Sequence, residues 1–144
     1  GPVTLYSHLS KSEIFSRITS ALEKEGITKF KILSPETGVI MTEEFELNER
    51  ISREDAAGKL INPGAAVVIG NFRTISAKEL NPTSTKGVIT VRLLEDNGSP
   101  KVWIMMTSLK SIYKYQEGTE IERVTEIPSK STGKIEKALS ESLK

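Results

Sequence analysis

Five consecutive apolar residues, Val102-Trp103-Ile104-Met105-Met106, lie a few positions after an Asn97-Gly98 pair. Asn-Gly between β-rich runs is the strongest short hairpin signal. Gly87 to Leu94 and Lys101 to Ser108 therefore read as two strands joined by the tight turn Asp96-Asn97-Gly98-Ser99. Side chains alternate across a strand. Val102, Ile104 and Met106 share one face, and Trp103 and Met105 share the other. A strand apolar on both faces needs cover on both sides. That requirement puts 101–108 at the centre of a sheet, with a layer, a loop, a ligand or a partner on each side of it.

Cover for one face is legible upstream. Ser10-Lys11-Ser12-Glu13 matches a capping box, with a hydroxyl at the N-cap and a carboxylate three residues later. Ile14, Phe15, Ile18, Ala21 and Leu22 follow at helical spacing, while Arg17, Ser20, Glu23 and Lys24 fall opposite. Gly26 stands where a helix ends in positive φ. The spacing predicts a one-sided helix over 11–26, with Ile18 and Leu22 in the core. A last helix is expected after Pro128, with Ser129 and Ser131 as candidate caps and Ile135, Ala138, Leu139 and Leu143 on one stripe.

The remaining segments read mostly as strands. Val3 to Leu9 alternates weakly. Ile27 to Leu33, the turn Ser34-Pro35-Glu36-Thr37-Gly38 and a long strand Val39 to Leu47 make a second hairpin. Glu43 falls on the apolar parity, which points to an edge or a bulge. Ala65 to Ile75 reads as a third strand, with Gly70 as a bend. Leu109 to Thr125 is ambiguous between strand and helical turn, and Glu120 to Ile127 reads as a short strand or extended arm. The expected fold is α+β: an antiparallel sheet of about five to six strands with two amphipathic helices packed on one face.

The scale is that of one domain, since the chain has 144 residues and a mass of 15.9 kDa. Gly1-Pro2 matches the remnant that a site-specific protease leaves after tag removal. Residues 3–144 then form a single α+β domain with a long loop or insertion at about 48–86. Val3 opens without an initiator methionine, so a native segment, a signal peptide, a lipid-attachment region or another domain is expected upstream.

The run Ala21-Leu22-Glu23-Lys24-Glu25-Gly26-Ile27, then Phe30 to Leu33, then Glu36-Thr37-Gly38-Val39-Ile40-Met41-Thr42 joins a glycine-ended amphipathic helix to a strand, an acidic-glycine turn and a second strand. Over about residues 10–47 this resembles the helix-grip domains of small bacterial envelope lipoproteins, the type of the C subunit of the outer-membrane β-barrel assembly machinery. The resemblance implies a non-enzymatic scaffold or accessory binding module in the cell envelope, and it carries no catalytic residues.

The reactive inventory is thin. With no cysteine and a single histidine, His8, disulfides, thiolate metal sites, cysteine nucleophiles and multi-histidine metal sites have no side chains to form them. Glu44 and Glu46 read as sharing a strand face, which serves as a solvated edge in the absence of further oxygens at loop spacing. Arg53-Glu54-Asp55 reads as helix capping in the long loop. No glycine-rich run precedes a helix with lysine and Ser/Thr, so nucleotide binding has no support. Lys110, Tyr113, Lys114 and Tyr115 interleave bases with aromatics, a pattern that can stack single-stranded bases. A net charge of +1 argues against it. Asn97-Gly98-Ser99 is a formal glycosylation sequon that the turn already explains. No apolar run approaches the roughly 20 residues of a membrane helix.

The expectation is therefore a chain with no catalytic, cofactor-binding or metal residues and no cofactor. It works as a non-catalytic extracytoplasmic binding or scaffold module, probing another envelope protein through Trp103, Met105, Phe72, Tyr113 and Tyr115. It takes no nucleic acid and meets the membrane only through an upstream anchor, which sets it in the periplasm or at the outer membrane; a cytoplasmic setting is the alternative. The other functional reading is a small apolar-ligand-binding domain with a cavity between helix and sheet, bounded by Trp103 or Met105.

Overall fold

The structure, a computed structural model, describes residues 1–47, 68–69, 73–74, 82–117 and 121–144. In chain order these residues form β1 (Val3–Tyr6), α1 (Lys11–Lys24), β2 (Phe30–Ser34), β3 (Val39–Thr42), β4 (Phe45–Glu46), β5 (Val68–Ile69), β6 (Arg73–Thr74), β7 (Ser84–Asp96), β8 (Ser99–Glu117), β9 (Ile121–Pro128) and α2 (Lys134–Glu141). The fold is α+β. Seven strands make an antiparallel sheet ordered β1-β8-β7-β3-β2, with β4 on β7 and β9 on β8, and β5 and β6 make a separate ribbon. Two compact units divide the chain: residues 1–45, 88–107 and 133–144 form one, and residues 46–87 and 108–132 the other.

In the first unit, α1 forms where its capping chemistry places it. Ser10 is the N-cap and its hydroxyl accepts from the Glu13 amide at 3.2 Å. At the other end the Gly26 amide donates to Glu23 O and the Ile27 amide to Leu22 O, both at 2.9 Å. Those two bonds are a Schellman closure, and Gly26 takes the φ of 79° that it requires. Leu22 and Ile27, the pair such a closure brings together, are both buried. Leu22 has no exposed surface. Leu22→Ala is therefore expected to lower stability by about 2–5 kcal/mol, through lost transfer energy and the cavity left behind. Chemical denaturation of the variant checks this; an unchanged midpoint would show that α1 is not docked through this stripe.

The sheet of this unit has two unlike faces. Ile40, Ile89, Val91, Val102 and Ile104 are fully buried on one of them. Val3 and Leu5 extend that face, because β1 sets them opposite Ile104 and Val102. Thr42 belongs to it too, and its hydroxyl accepts from the Ile89 amide at 3.0 Å. The α1 stripe of Ile14, Phe15, Ile18 and Leu22 supplies the apolar surface this face needs. α2 packs against α1 and the edge strand β1, burying Ile135, Leu139 and Leu143. The β7–β8 hairpin turns on Asn97 (φ 51°) and Gly98 (φ 80°), the two positive values of a type I′ turn. Gly38 closes the β2–β3 turn at φ 70°, where a Cβ would stand 3.0 Å from Leu93 O.

In the second unit β8 continues to Glu117 and pairs with β9 over eight positions, Lys110↔Pro128 through Glu117↔Ile121. Ser108 has a φ of 52°, rare for a non-glycine residue. Burial along β8 changes sense there. Val102, Ile104 and Met106 are buried before it, and Leu109, Ser111 and Tyr113 after it, with Ile112 beside them.

Several expectations are corrected. The main sheet has seven strands among the described residues, not five to six, because β9 joins it and the segment 39–47 counts as two strands, β3 and β4. Within the single strand expected over 65–75, the described residues form two short strands that pair antiparallel with each other, Val68↔Thr74 and Ile69↔Arg73. The long strand 39–47 is broken: β3 ends at Thr42, β4 starts at Phe45, and Glu43 and Glu44 lie between. Ser129 and Ser131 do not cap the last helix. Its N-cap is Gly133 at φ 82°, and the Ser129 hydroxyl pairs with that of Ser111 at 2.7 Å. Residues 48–67, including Arg53, Glu54 and Asp55, lie outside the described residues, as do Gly70 and Phe72. Among the described residues, no helix is long and apolar enough to cross a membrane.

Candidate interaction surface

The face of the first unit's sheet opposite the buried one is built by alternation. Trp103 and Met105 project from β8 between the buried Val102, Ile104 and Met106, and both are half-buried. Register adds their neighbours. Thr4 of β1 lies opposite Trp103, and Val39 and Met41 of β3 lie opposite Arg92 and Thr90 of β7. Ile32 of β2 pairs with Met41 and is 38% exposed, and Leu94 is 46% exposed. Thr90 shares this parity yet is only 3% exposed. Long neighbours such as Met41 and Trp103 fill the space above a small side chain in a sheet.

Charge enters this face through the same strands. The Arg92 guanidinium sits over the Trp103 ring, 6.0 Å from its centroid. Such a contact is worth about 0.5–1 kcal/mol at an exposed site. Lys101 is on the same face, two residues before Trp103 and opposite Tyr6. Asp96 accepts a 2.6 Å hydrogen bond from the Tyr6 hydroxyl. That bond, and then the carboxylate charge, hold the Tyr6 phenol above the ordinary tyrosine value.

Of the residues expected at an interaction surface, the structure brings together Trp103 and Met105. Tyr113 is a correction: it is 1% exposed and belongs to the core of the second unit. The change of sense at Ser108 carries its ring inward. The base-aromatic alternation of 110–115 is thereby broken, since Lys114 is exposed while Tyr113 is inside, and Lys110 pairs with Glu126 at 3.3 Å. Tyr115 lies in β8 opposite Arg123, but its side chain is outside what the structure describes, as is all of Phe72. Sequence reasoning missed Arg92, although the two-residue turn at Asn97-Gly98 fixes the register of β7 on β8 and sets Arg92 across from Trp103.

Burial pushes the Tyr113 phenol above its ordinary value near 10.0, and a hydrogen bond from Ser111 pulls it partly back. A phenol raised on folding contributes stability that is fully present below pH 10 and is lost as pH rises through the higher folded value. Wild type is thus expected to lose stability above pH 10 more steeply than Tyr113→Phe, which has no proton to lose. Melting both proteins across the alkaline range checks it; parallel curves would refute the burial of this group.

The other chemical candidates do not assemble. His8 is exposed just after β1. Glu44 and Glu46 no longer share a strand, because Glu44 precedes β4. Among the described residues no group of three or more His, Cys, Asp or Glu is placed to hold a metal ion. One cleft of about 270 Å³ is lined by Ser108, Leu109, Lys110, Glu126 and Pro128. Another, of about 320 Å³, runs along Ser16, Arg17, Ser20, Ala21, Lys24 and Ser142. Arg17 is occupied there, donating to Ser142 O at 3.5 Å and Lys144 O at 3.2 Å. No family model matches the chain, and no curated protein is detectably similar to it.

Proposed function

We propose that this chain is a non-catalytic binding or scaffold module that meets another protein through the outer sheet face around Trp103. The observation that carries the reading is the contrast between neighbours on one strand. Val102, Ile104 and Met106 are closed into the core, while Trp103 and Met105 remain half-open on the other side. Contiguous apolar surface left open on a soluble domain marks interaction sites, and tryptophan is enriched among the residues that dominate binding energy. The finer architecture we assign is helix-grip-like, with α1 lying across one face of the antiparallel sheet. An apolar ligand held between helix and sheet would use the inner face and leave Trp103 and Met105 without a role, so the protein-binding reading is preferred.

The extracytoplasmic, membrane-anchored setting rests on the likeness of residues 10–47 to envelope lipoprotein domains. Fractionation of the full-length protein tests it: recovery with the envelope is expected, and recovery in cytosol alone overturns it. The binding reading is tested by capturing partners from envelope extracts with wild type and with Trp103→Glu. Loss of a specific partner in the variant is expected. Identical capture by both would place binding elsewhere.

A further inference from the structure

We propose that the partner presents an acidic, apolar polypeptide segment to this face, with a carboxylate on Arg92 and Lys101 and an apolar side chain on Trp103. The inference rests on the binding reading above and adds the chemistry of the partner. Three charged residues share the parity of Trp103 in the first unit's part of β7 and β8, residues 88–107: Arg92, Asp96 and Lys101. The one acid is already engaged by the Tyr6 hydroxyl at 2.6 Å. Among the described residues neither cation has a carboxylate partner, and Arg92's recorded contact is the Trp103 ring. The face is thus apolar with a corner of net charge +1, two cations against the Asp96 carboxylate.

The geometry of that corner suits a carboxylate. A guanidinium stacked over an indole keeps the fork of donors at its edge open, and that fork matches the two oxygens of a carboxylate. Lys101 lies about 7 Å from Trp103 along the strand, by the two-residue repeat. Two cations therefore bracket one indole, and a segment crossing the strands can set an acidic side chain beside an apolar one. Met41 and Met105 supply adaptable apolar contact for the latter.

Other anionic partners fit less well. Single-stranded nucleic acid is held by successive aromatics along a basic groove, and this face has one aromatic besides Tyr6. Anionic membranes are held by clusters of about 4–8 cations, and among the described residues of the first unit's β7 and β8 this face has two.

Trp103 is the chain's single tryptophan, so its fluorescence reads this face alone. The test titrates the whole chain with three pools of blocked hexapeptides. Each alternates randomised Leu, Ile, Phe and Met with glutamate, glutamine or lysine. A thymidine oligonucleotide and phosphatidylserine vesicles are the other arms. The expected result is a saturable change with the glutamate pool, several-fold weaker with glutamine and absent with lysine. That preference should vanish in Arg92→Gln with Lys101→Gln, whose fold is checked by circular dichroism. Equal binding of the glutamate and glutamine pools overturns the acidic partner and leaves the binding face standing. Saturable binding of the oligonucleotide or the vesicles without the glutamate pool overturns the polypeptide assignment. No change with any probe overturns both the inference and the reading it rests on.

Discussion

Deleting residues 133–144 is expected to leave a chain that no longer unfolds cooperatively and that aggregates. The deletion removes α2 and the residues after it, and with them the buried Ile135, Leu139 and Leu143. Each such side chain contributes about 1.5–3 kcal/mol by leaving water. Together they match much of the roughly 5–15 kcal/mol of net stability a domain has. The loss is not confined to the helix. α2 packs on α1 and β1, so its removal exposes apolar surface on both and bares the edge strand. It also removes the carbonyls of Ser142 and Lys144 that accept from Arg17. An exposed strand edge beside apolar surface is a template for pairing with another chain. Sedimentation with circular dichroism of the truncated protein checks this. A monomer with native ellipticity would show that α2 is dispensable.

The elements that could be read from sequence are those whose chemistry is local. α1 announces itself through Ser10, Glu13, the stripe Ile14-Phe15-Ile18-Leu22 and Gly26, and each does in the structure what its position implies. The β7–β8 hairpin follows from Asn97-Gly98 in the same way. The misread parts depend on information that is not local. Ser108 adopts a left-handed φ that nothing in a serine advertises, and it reverses which residues of β8 face inward. Tyr113 therefore lies in the core, although alternation alone sets it on a surface. The last helix starts from a left-handed Gly133, although Ser129 and Ser131 carry the better capping chemistry. Alternation placed Trp103 and Met105 on one face. Alternation alone does not place Arg92 over the indole; the Asn97-Gly98 turn does, because a two-residue loop fixes the register and sets Arg92 across from Trp103.

The second large effect separates two neighbouring residues. Ile104→Glu puts a carboxylate where the side chain has no exposed surface. A charge buried there without a partner costs several kcal/mol or more, so the variant is expected to fold poorly or not at all. Trp103→Glu is one residue away and on the opposite face. Its carboxylate would reach solvent and lie beside Arg92 and Lys101. The contact with Arg92 is lost, at about 0.5–1 kcal/mol, together with part of the roughly 1.5–3 kcal/mol that complete burial of a large apolar side chain contributes. The account rests on Trp103 belonging to an outward surface that takes a partner, and denaturant unfolding of Trp103→Glu tests it most directly. The expected result is cooperative unfolding within about 2–4 kcal/mol of wild type, the most that those two losses together allow. A loss as large as that of Ile104→Glu would make Trp103 part of the core and contradict the account.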